Sequence, residues 1–283
     1  MSNSLLNNFS DFSKEAVHHP WFKFINQNYT AKDNKFFFIK DPSIGFSVDN
    51  NDLTVNKLKL FFKRFPQLFN LIYILFGAVF VGRNSQYAIK DKSPGSLILN
   101  LGSGVKRIRK DVVNVDFYPF EEVDIVADIT NLPFTDNSVD AIINEFVLEH
   151  LPNPESVVKE MVRVMKSGAI IYVSVPFVAS FHSSPNDFFR WSRQGLRVLL
   201  KDFQEIEGGV RCGPTSALVY VLSEWLSTLF SFGNTKIQQG FFMFFLICLS
   251  PLKLLDFVIA KIPSSENIAY GFYFIGKKNG IYQ

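Results

Sequence analysis

The chain has 283 residues, 47% of them hydrophobic, with 32 phenylalanines and a formal net charge of +3. That length can bury a sizeable core, and so small a charge with no basic stripe excludes nucleic acid as the main partner. Cys212 and Cys248 lack CxxC spacing and a histidine near them in sequence, so the pattern suggests neither a disulfide framework nor a metal site.

The first 90 residues read as an N-terminal extension. MSNSLLNNFSDFSKE lacks a basic segment leading into an apolar one, so no signal peptide is expected, and the expected compartment is a reducing cytosol. Residues 18–21, HHPW, read as a surface turn. Residues 36–39 and 46–48, separated by the turn-forming DPSIG, predict a hairpin. Lys57, Lys59, Lys63 and Arg64 then precede an apolar run over 68–81, shorter than the roughly 20 residues a membrane span needs. A basic, aromatic helix beside an apolar one fits either a membrane interface or a core-packing helix.

From residue 91 onward the pattern is that of an α/β domain. Residues 97–101, LILNL, predict a buried parallel strand that ends at Gly102-Ser103-Gly104. A second strand over 112–115 carries Asp116 at its tip, where a carboxylate can accept hydrogen bonds from a ribose diol. A third strand is expected over 124–127, a fourth over 139–144, a helix over 154–166 and a fifth strand over 169–175. The tips of these strands converge on one crevice, the usual ligand site of an open parallel sheet.

LNLGSG, VNVD, ADITNLPF, SVDAIINEFVLEHL, RVMKSG and IIYVSVPF, in that order over residues 97–177, resemble the motifs of class I S-adenosylmethionine-dependent methyltransferases. The likeness is to the small-molecule branch, including members associated with cell-surface polysaccharide and glycolipid biosynthesis. It implies a Rossmann-like fold, with a mostly parallel sheet, an antiparallel last strand and a helical insertion over 214–262 before that strand. It implies S-adenosylmethionine as cofactor, with Gly102, Ser103 and Gly104 beneath its methionine part. Asp116 would hold the ribose with Phe117 beside the adenine, Asp128 and Ile129 would face the adenine, and Glu145 with Phe146 would line the sulfonium side. The sequence departs from the pattern in one place. Only ten residues separate Gly104 from Val115, too few for a full helical crossover. That shortness, and Arg107 where a dinucleotide fingerprint would place a third glycine, weigh against a nicotinamide-dependent oxidoreductase.

Beyond the fifth strand, residues 177–200 hold a polar loop with His182, Asp187 and Arg190 ahead of a helix that Ser192 can cap. Two readings stay open for this loop. In one, His182 or Asp187 acts as general base toward a hydroxylated acceptor and Arg190 clamps an anion. In the other, Asp187 pairs with Arg190 and Trp191 packs on the sheet. His150 is as well suited to orienting a helix as to touching substrate. A sixth strand is expected over 203–210 and a last one over 270–277, with helices over 216–230 and 239–260 between them. The second helix is apolar nearly all round and could be a buried cap or, with 68–81, a patch that contacts the membrane surface. The function expected is O-methylation of a small-molecule or glycan/glycolipid acceptor. A non-catalytic, cofactor-binding scaffold is the competing class.

Overall fold

A computed structural model of the chain describes residues 20–39, 77–182 and 186–280. Nine strands of the described residues form one sheet: β1 (Thr30–Lys32), β2 (Lys35–Phe37), β3 (Ile98–Leu101), β4 (Val112–Asp116), β5 (Ile125–Val126), β6 (Val139–Glu145), β7 (Met165–Pro176), β8 (Phe203–Cys212) and β9 (Gly271–Lys278). Their order is β1-β2-β5-β4-β3-β6-β7-β9-β8. All run parallel except β1, antiparallel to β2, and β9, antiparallel to both β7 and β8. Around them lie α1 (Ser85–Ala88), α2 (Pro154–Val164), α3 (Arg193–Leu199), α4 (Pro214–Phe230), α5 (Thr235–Leu249) and α6 (Asp256–Ile259). A mostly parallel sheet with an antiparallel last strand is the Rossmann-like arrangement expected.

The N-terminal extension does not stand apart from this sheet. Its hairpin adds β2 to the edge of β5, with Phe36 opposite Ile125. Its turn is Asp33-Asn34, and both residues have positive φ (51° and 58°); DPSIG, the turn of the expected hairpin, lies outside the described residues. A two-residue hairpin needs that mirror-image backbone, and Asp and Asn tolerate it best after glycine. The arm expected over 46–48, most of the run over 68–81, and His18 and His19 lie outside the described residues.

The two sheet faces are covered unequally. On one, Val157, Val158, Met161 and Val164 of α2 join Leu196 of α3, Trp191 and Trp21 against Leu97, Leu99, Val113 and Ile171. Each such aliphatic side chain contributes roughly 1.5–3 kcal/mol by leaving water. On the other, Ile98, Val112, Ala141, Ile143 and Tyr172 pack with Ile89, Ile108 and the partly buried Tyr87 and Ala88. No helix bridges β3 to β4, β4 to β5 or β5 to β6. Side chains do part of that work. Arg107 donates to the Glu122 and Asp124 carboxylates and to the carbonyls of Val112 and Glu122. Beneath the same loop, the buried Asn100 amide donates to Asn114 Oδ1 at 3.0 Å, and Asn114 Nδ2 donates to the carbonyls of Lys106 and Glu122.

Toward the C-terminus, boundaries move for local reasons. β7 begins at Met165, directly after α2, with Gly168 (φ +74°) inside the strand, and the register with β6 shifts between Val139 and Ala141. The helix expected over 239–260 is three pieces. α5 stops at Leu249, a 3-10 segment spans Ser250–Leu255 and α6 follows. Pro251, which has no amide hydrogen to donate, sits at the break.

α4 and α5 form a hairpin closed by Phe230 against Phe241 and Phe245, with ring centroids 5.8 and 5.9 Å apart. The N-terminus of α4 is capped from a distance. Asp256 Oδ1 accepts from the amide of Thr215 at 2.6 Å, and Oδ2 accepts from the amide and hydroxyl of Ser216 at 2.8 and 2.7 Å. Gly213, the residue before α4, leaves room for it, since a Cβ there would stand 2.1 Å from Asp256 Cγ. Residues Thr235–Ile259 are long and apolar enough to cross a membrane by length and composition alone. Their last third is nonetheless folded onto the protein, with Asp256 beneath α4 and the buried Lys253 ammonium donating to Gly77 O at 2.9 Å.

Candidate functional site

The crevice at the carboxyl ends of β3, β4 and β6 is fixed by backbone. After Leu101 the chain turns through Gly102 (φ +71°) and Gly104 (φ +57°), a left-handed conformation that suits glycine. Gly102 and Ser103 both donate their amides to Val115 O, at 2.8 and 3.2 Å, which pins the turn to the tip of β4. Asp116 then takes one amide on each carboxylate oxygen, Gly104 N on Oδ2 at 2.8 Å and Tyr118 N on Oδ1 at 2.9 Å. Such a carboxylate cannot swing, and its acceptor geometry is set before any ligand arrives.

The glycines have different jobs. A Cβ on Gly102 would lie 2.5 Å from Val147 Cγ2, so this glycine permits close packing of β3 against the turn after β6. A Cβ on Gly104 would meet nothing within 4 Å, so this one borders open space. The buried hydroxyl of Ser103 between them has no protein partner. An open turn with an orphaned buried hydroxyl, facing a fixed carboxylate, fits the methionine and ribose parts of S-adenosylmethionine.

Other predicted cofactor residues are placed less uniformly. Phe117 follows Asp116 and lies edge-on to Tyr118, with centroids 5.5 Å apart. Asp128 is exposed, and its Oδ1 accepts from the Thr130 amide and hydroxyl at 2.8 and 2.7 Å. Ile129 is a member of the main core. Glu145, at the end of β6, lies 3.9 Å from the Lys106 ammonium, which reaches across from the glycine turn. Phe146 next to it holds φ +54°, an uncommon conformation for a bulky residue, and packs against Phe80 at 6.2 Å.

Along the far wall, the loop after β7 and the turn after β6 interlock. Arg190 uses all five of its N–H groups on the protein: on both Asp187 oxygens at 2.5 Å and on the carbonyls of Ala179, Ser180 and Phe189. With no donor to spare in this arrangement, Arg190 braces the loop and does not clamp an anion. Asp187 is spent likewise. Burial pushes its carboxyl up, but hydrogen bonds from Arg190 and from the His182 amide hold it below the usual range. Trp191 is buried in the core, the second of the two readings the sequence left open for this loop. His182 is the most exposed of the three, its side chain about one-third accessible (34%).

Two residues of this cluster were not among the predicted site residues. Glu149 and His150 lie in a 3-10 turn, Leu148–His150, just past the tip of β6. Glu149 is fully buried and neither carboxylate oxygen has a hydrogen-bond partner. Burial pushes its pKa up to about 8, against the pull of its own backbone amide and of Arg190. Burial lowers His150 to about 4, although the Asn186 carbonyl beside it pulls the other way. The signal available in the sequence was the dipeptide Glu-His beyond a strand tip; its partner His182, 33 positions away, could come only from the fold.

Against known proteins, the family model described as "Methyltransferase domain" matches residues 102–173. No curated relative matches the chain. Among solved structures, the chain is similar to a Burkholderia thailandensis 1,6-didemethyltoxoflavin-N1-methyltransferase at 10% identity, over 84% of this chain and 94% of that one, with a TM-score of 0.46. It is similar to a Haemonchus contortus phosphoethanolamine N-methyltransferase 2 at 15% identity, over 74% of this chain and 56% of that one, with a TM-score of 0.44. It is also similar to the [4+2]-cyclase SpnF at 12% identity, over 77% of this chain and 96% of that one, with a TM-score of 0.44.

Proposed function

The chain carries a methyltransferase domain whose cofactor is S-adenosylmethionine, and we propose that it O-methylates a glycan or glycolipid acceptor presented at a membrane surface. The observation that carries the acceptor class is the α4–α5 hairpin. It lies between β8 and β9, and it leaves Trp225 at 60%, Phe232 at 89% and Phe244 at 55% exposure. Scattered apolar residues need no explanation, but a helical hairpin with this many exposed aromatics fits partial burial in a lipid interface. Leu254, Phe257 and Val258 continue the exposed apolar surface beyond Pro251.

The bound cofactor supplies an activated methyl group. The protein's part is alignment, in which Asp116 and the Gly102–Gly104 turn hold the donor while the loop around His182 positions the acceptor. Within that loop His182 contacts the acceptor hydroxyl, and Asp187 with Arg190 keeps it in place. Glu145 and Lys106 close the crevice on the side of β6.

Incubation of the purified chain with methyl-labelled S-adenosylmethionine and membrane extracts tests this reading. Label is expected in the lipid- or glycan-linked fraction, and His182→Ala is expected to abolish transfer while calorimetry shows unchanged cofactor affinity. Label that enters only water-soluble small molecules would overturn the acceptor class. Cofactor binding with no transfer from any extract would favour the scaffold.

A further inference from the structure

We infer that Glu149, His150 and His182 form a binding site for a divalent transition cation, zinc being the one their donor set suits best. The three groups bring one carboxylate oxygen and two imidazole nitrogens within 4.8 Å of one another. Nε2 of His150 lies 3.8 Å from Glu149 Oε1, and Nε2 of His182 lies 3.9 Å from the same oxygen. These separations are too long for direct hydrogen bonds. Ligands bonded to one tetrahedral zinc at 2.0–2.1 Å stand about 3.4 Å apart, so each imidazole needs to approach the carboxylate by about half an ångström.

The protons decide what can sit there. Asn186 O can only accept, and it lies 2.6 Å from His150 Nδ1, so Nδ1 carries the hydrogen. In the neutral ring, Nε2 then presents a lone pair toward Glu149. Around His182 Nδ1 the neighbours are Ser180 O at 3.3 Å and Asp187 Oδ2 at 3.6 Å, both acceptors. Arg190 Nη2 is 3.5 Å away, but it already donates to Ser180 O and Asp187 Oδ2. Of the two ring nitrogens of His182, Nε2 is the one that faces the carboxylate, 3.9 Å from Glu149 Oε1. Two imidazole nitrogens and a buried carboxylate with no donor of its own converge on one point. A cation there satisfies the carboxylate, whose oxygens have no hydrogen-bond partner.

The surroundings are those of a metal centre. Each histidine is held through Nδ1 by a carbonyl or carboxylate, the arrangement that fixes tautomer and ring plane in metal-ligating histidines. The rings stand edge to face, their centroids 5.2 Å apart. His182 gives access from solvent, since its side chain is 34% exposed while Glu149 is at 0%. With two histidines and one carboxylate from the protein, a coordination position remains, as in sites that bind water or substrate oxygen. The site deepens the acceptor reading, on which its link to the acceptor rests, by giving His182 a ligand's role there.

The test uses the full-length chain, stripped with a chelator and exchanged into metal-free buffer. One equivalent of Co2+ is expected to give the visible absorption of a low-symmetry site, and Zn2+ to displace it at one ion per chain. Glu149→Gln and His150→Ala are each expected to weaken zinc at least about tenfold. His18→Ala with His19→Ala, which removes the chain's other two histidines, is expected to leave binding unchanged. No cobalt spectrum in the wild-type chain would overturn the site, as would Glu149→Gln binding zinc as tightly as wild type, which is the outcome if only a proton links the carboxylate to His150. Neither readout requires cofactor, acceptor or turnover, so failure of the methylation reading leaves this result distinct.

Discussion

The donor end of the crevice and the acceptor side are built from different materials. At the donor end, backbone amides and carbonyls within 17 residues of sequence hold the turn over 102–104 and Asp116. On the acceptor side, side chains hold side chains: Arg190 on Asp187, His150 on the Asn186 carbonyl, and Glu149 amid two histidines. Farther out, α4 and α5 expose apolar surface that nothing in the described residues covers. Backbone-built sites suit a ligand that never changes, whereas side-chain clusters and an accessory hairpin can be altered without moving the sheet. On the proposed reading, the donor pocket is constant framework and the acceptor wall is where specificity can vary.

The sharpest way to break the donor end is Gly102→Ala. A Cβ there meets Val147 Cγ2 at 2.5 Å and Cγ1 at 2.7 Å, in a residue whose φ is +71°. Steric overlap and left-handed strain together are expected to cost about 3 kcal/mol or more. Denaturant unfolding should show the lost stability, and calorimetry should show cofactor binding lost with it. Gly104→Ala is the informative contrast, because its Cβ meets nothing within 4 Å and only the strain at φ +57° remains. A Gly104→Ala variant as unstable as Gly102→Ala would show that the contact with Val147 is not what Gly102 is for.

The same contrast explains what could be read from the amino-acid order. The turn at Gly102 and Gly104 and the placing of Asp116 at a strand tip were legible because they depend on residue type at short spacing: backbone freedom, a close approach, a carboxylate at the end of an apolar run. Strand periodicity gave β3 to β9 nearly whole, and the short first crossover followed from counting residues. The spacing did not reveal how that crossover is held, since Arg107 finds Glu122 and Asp124 only after folding. The Asp33-Asn34 turn went unread because neither residue is a glycine, although both take the positive φ a two-residue hairpin needs. Glu149 escaped notice, and His150 was left between two readings, since a buried carboxylate is meaningful only once its missing partners are known.

On the acceptor side a buried carboxylate ties α6 back onto the start of α4. Asp256 accepts three hydrogen bonds at the start of α4, where Gly213 offers no side-chain cap. Asp256→Ala removes a charged acceptor and leaves two amides and a hydroxyl buried, an expected loss of about 2–3 kcal/mol. Hydrogen exchange should show faster opening across α4 and α5 with the amides of β3 and β4 unaffected. Equal acceleration in the central strands would mean that the hairpin and the sheet are one cooperative unit.

The smallest effects concern the outer surface of the hairpin. Phe244 is 55% exposed, whereas Phe241 and Phe245 stack on each other at 6.0 Å and against Phe230. If the exposed face enters lipid, Phe244→Ser weakens binding to anionic vesicles by about 1–2 kcal/mol, the value of one partly transferred aromatic, and leaves the melting temperature unchanged. Phe241→Ser does the reverse in the first instance: it opens the packing between α4 and α5 and lowers the melting temperature. Co-sedimentation and thermal unfolding of the two variants separate a surface that faces lipid from one that only caps the fold. Wild-type chain that fails to sediment with vesicles would assign the whole apolar face to another use.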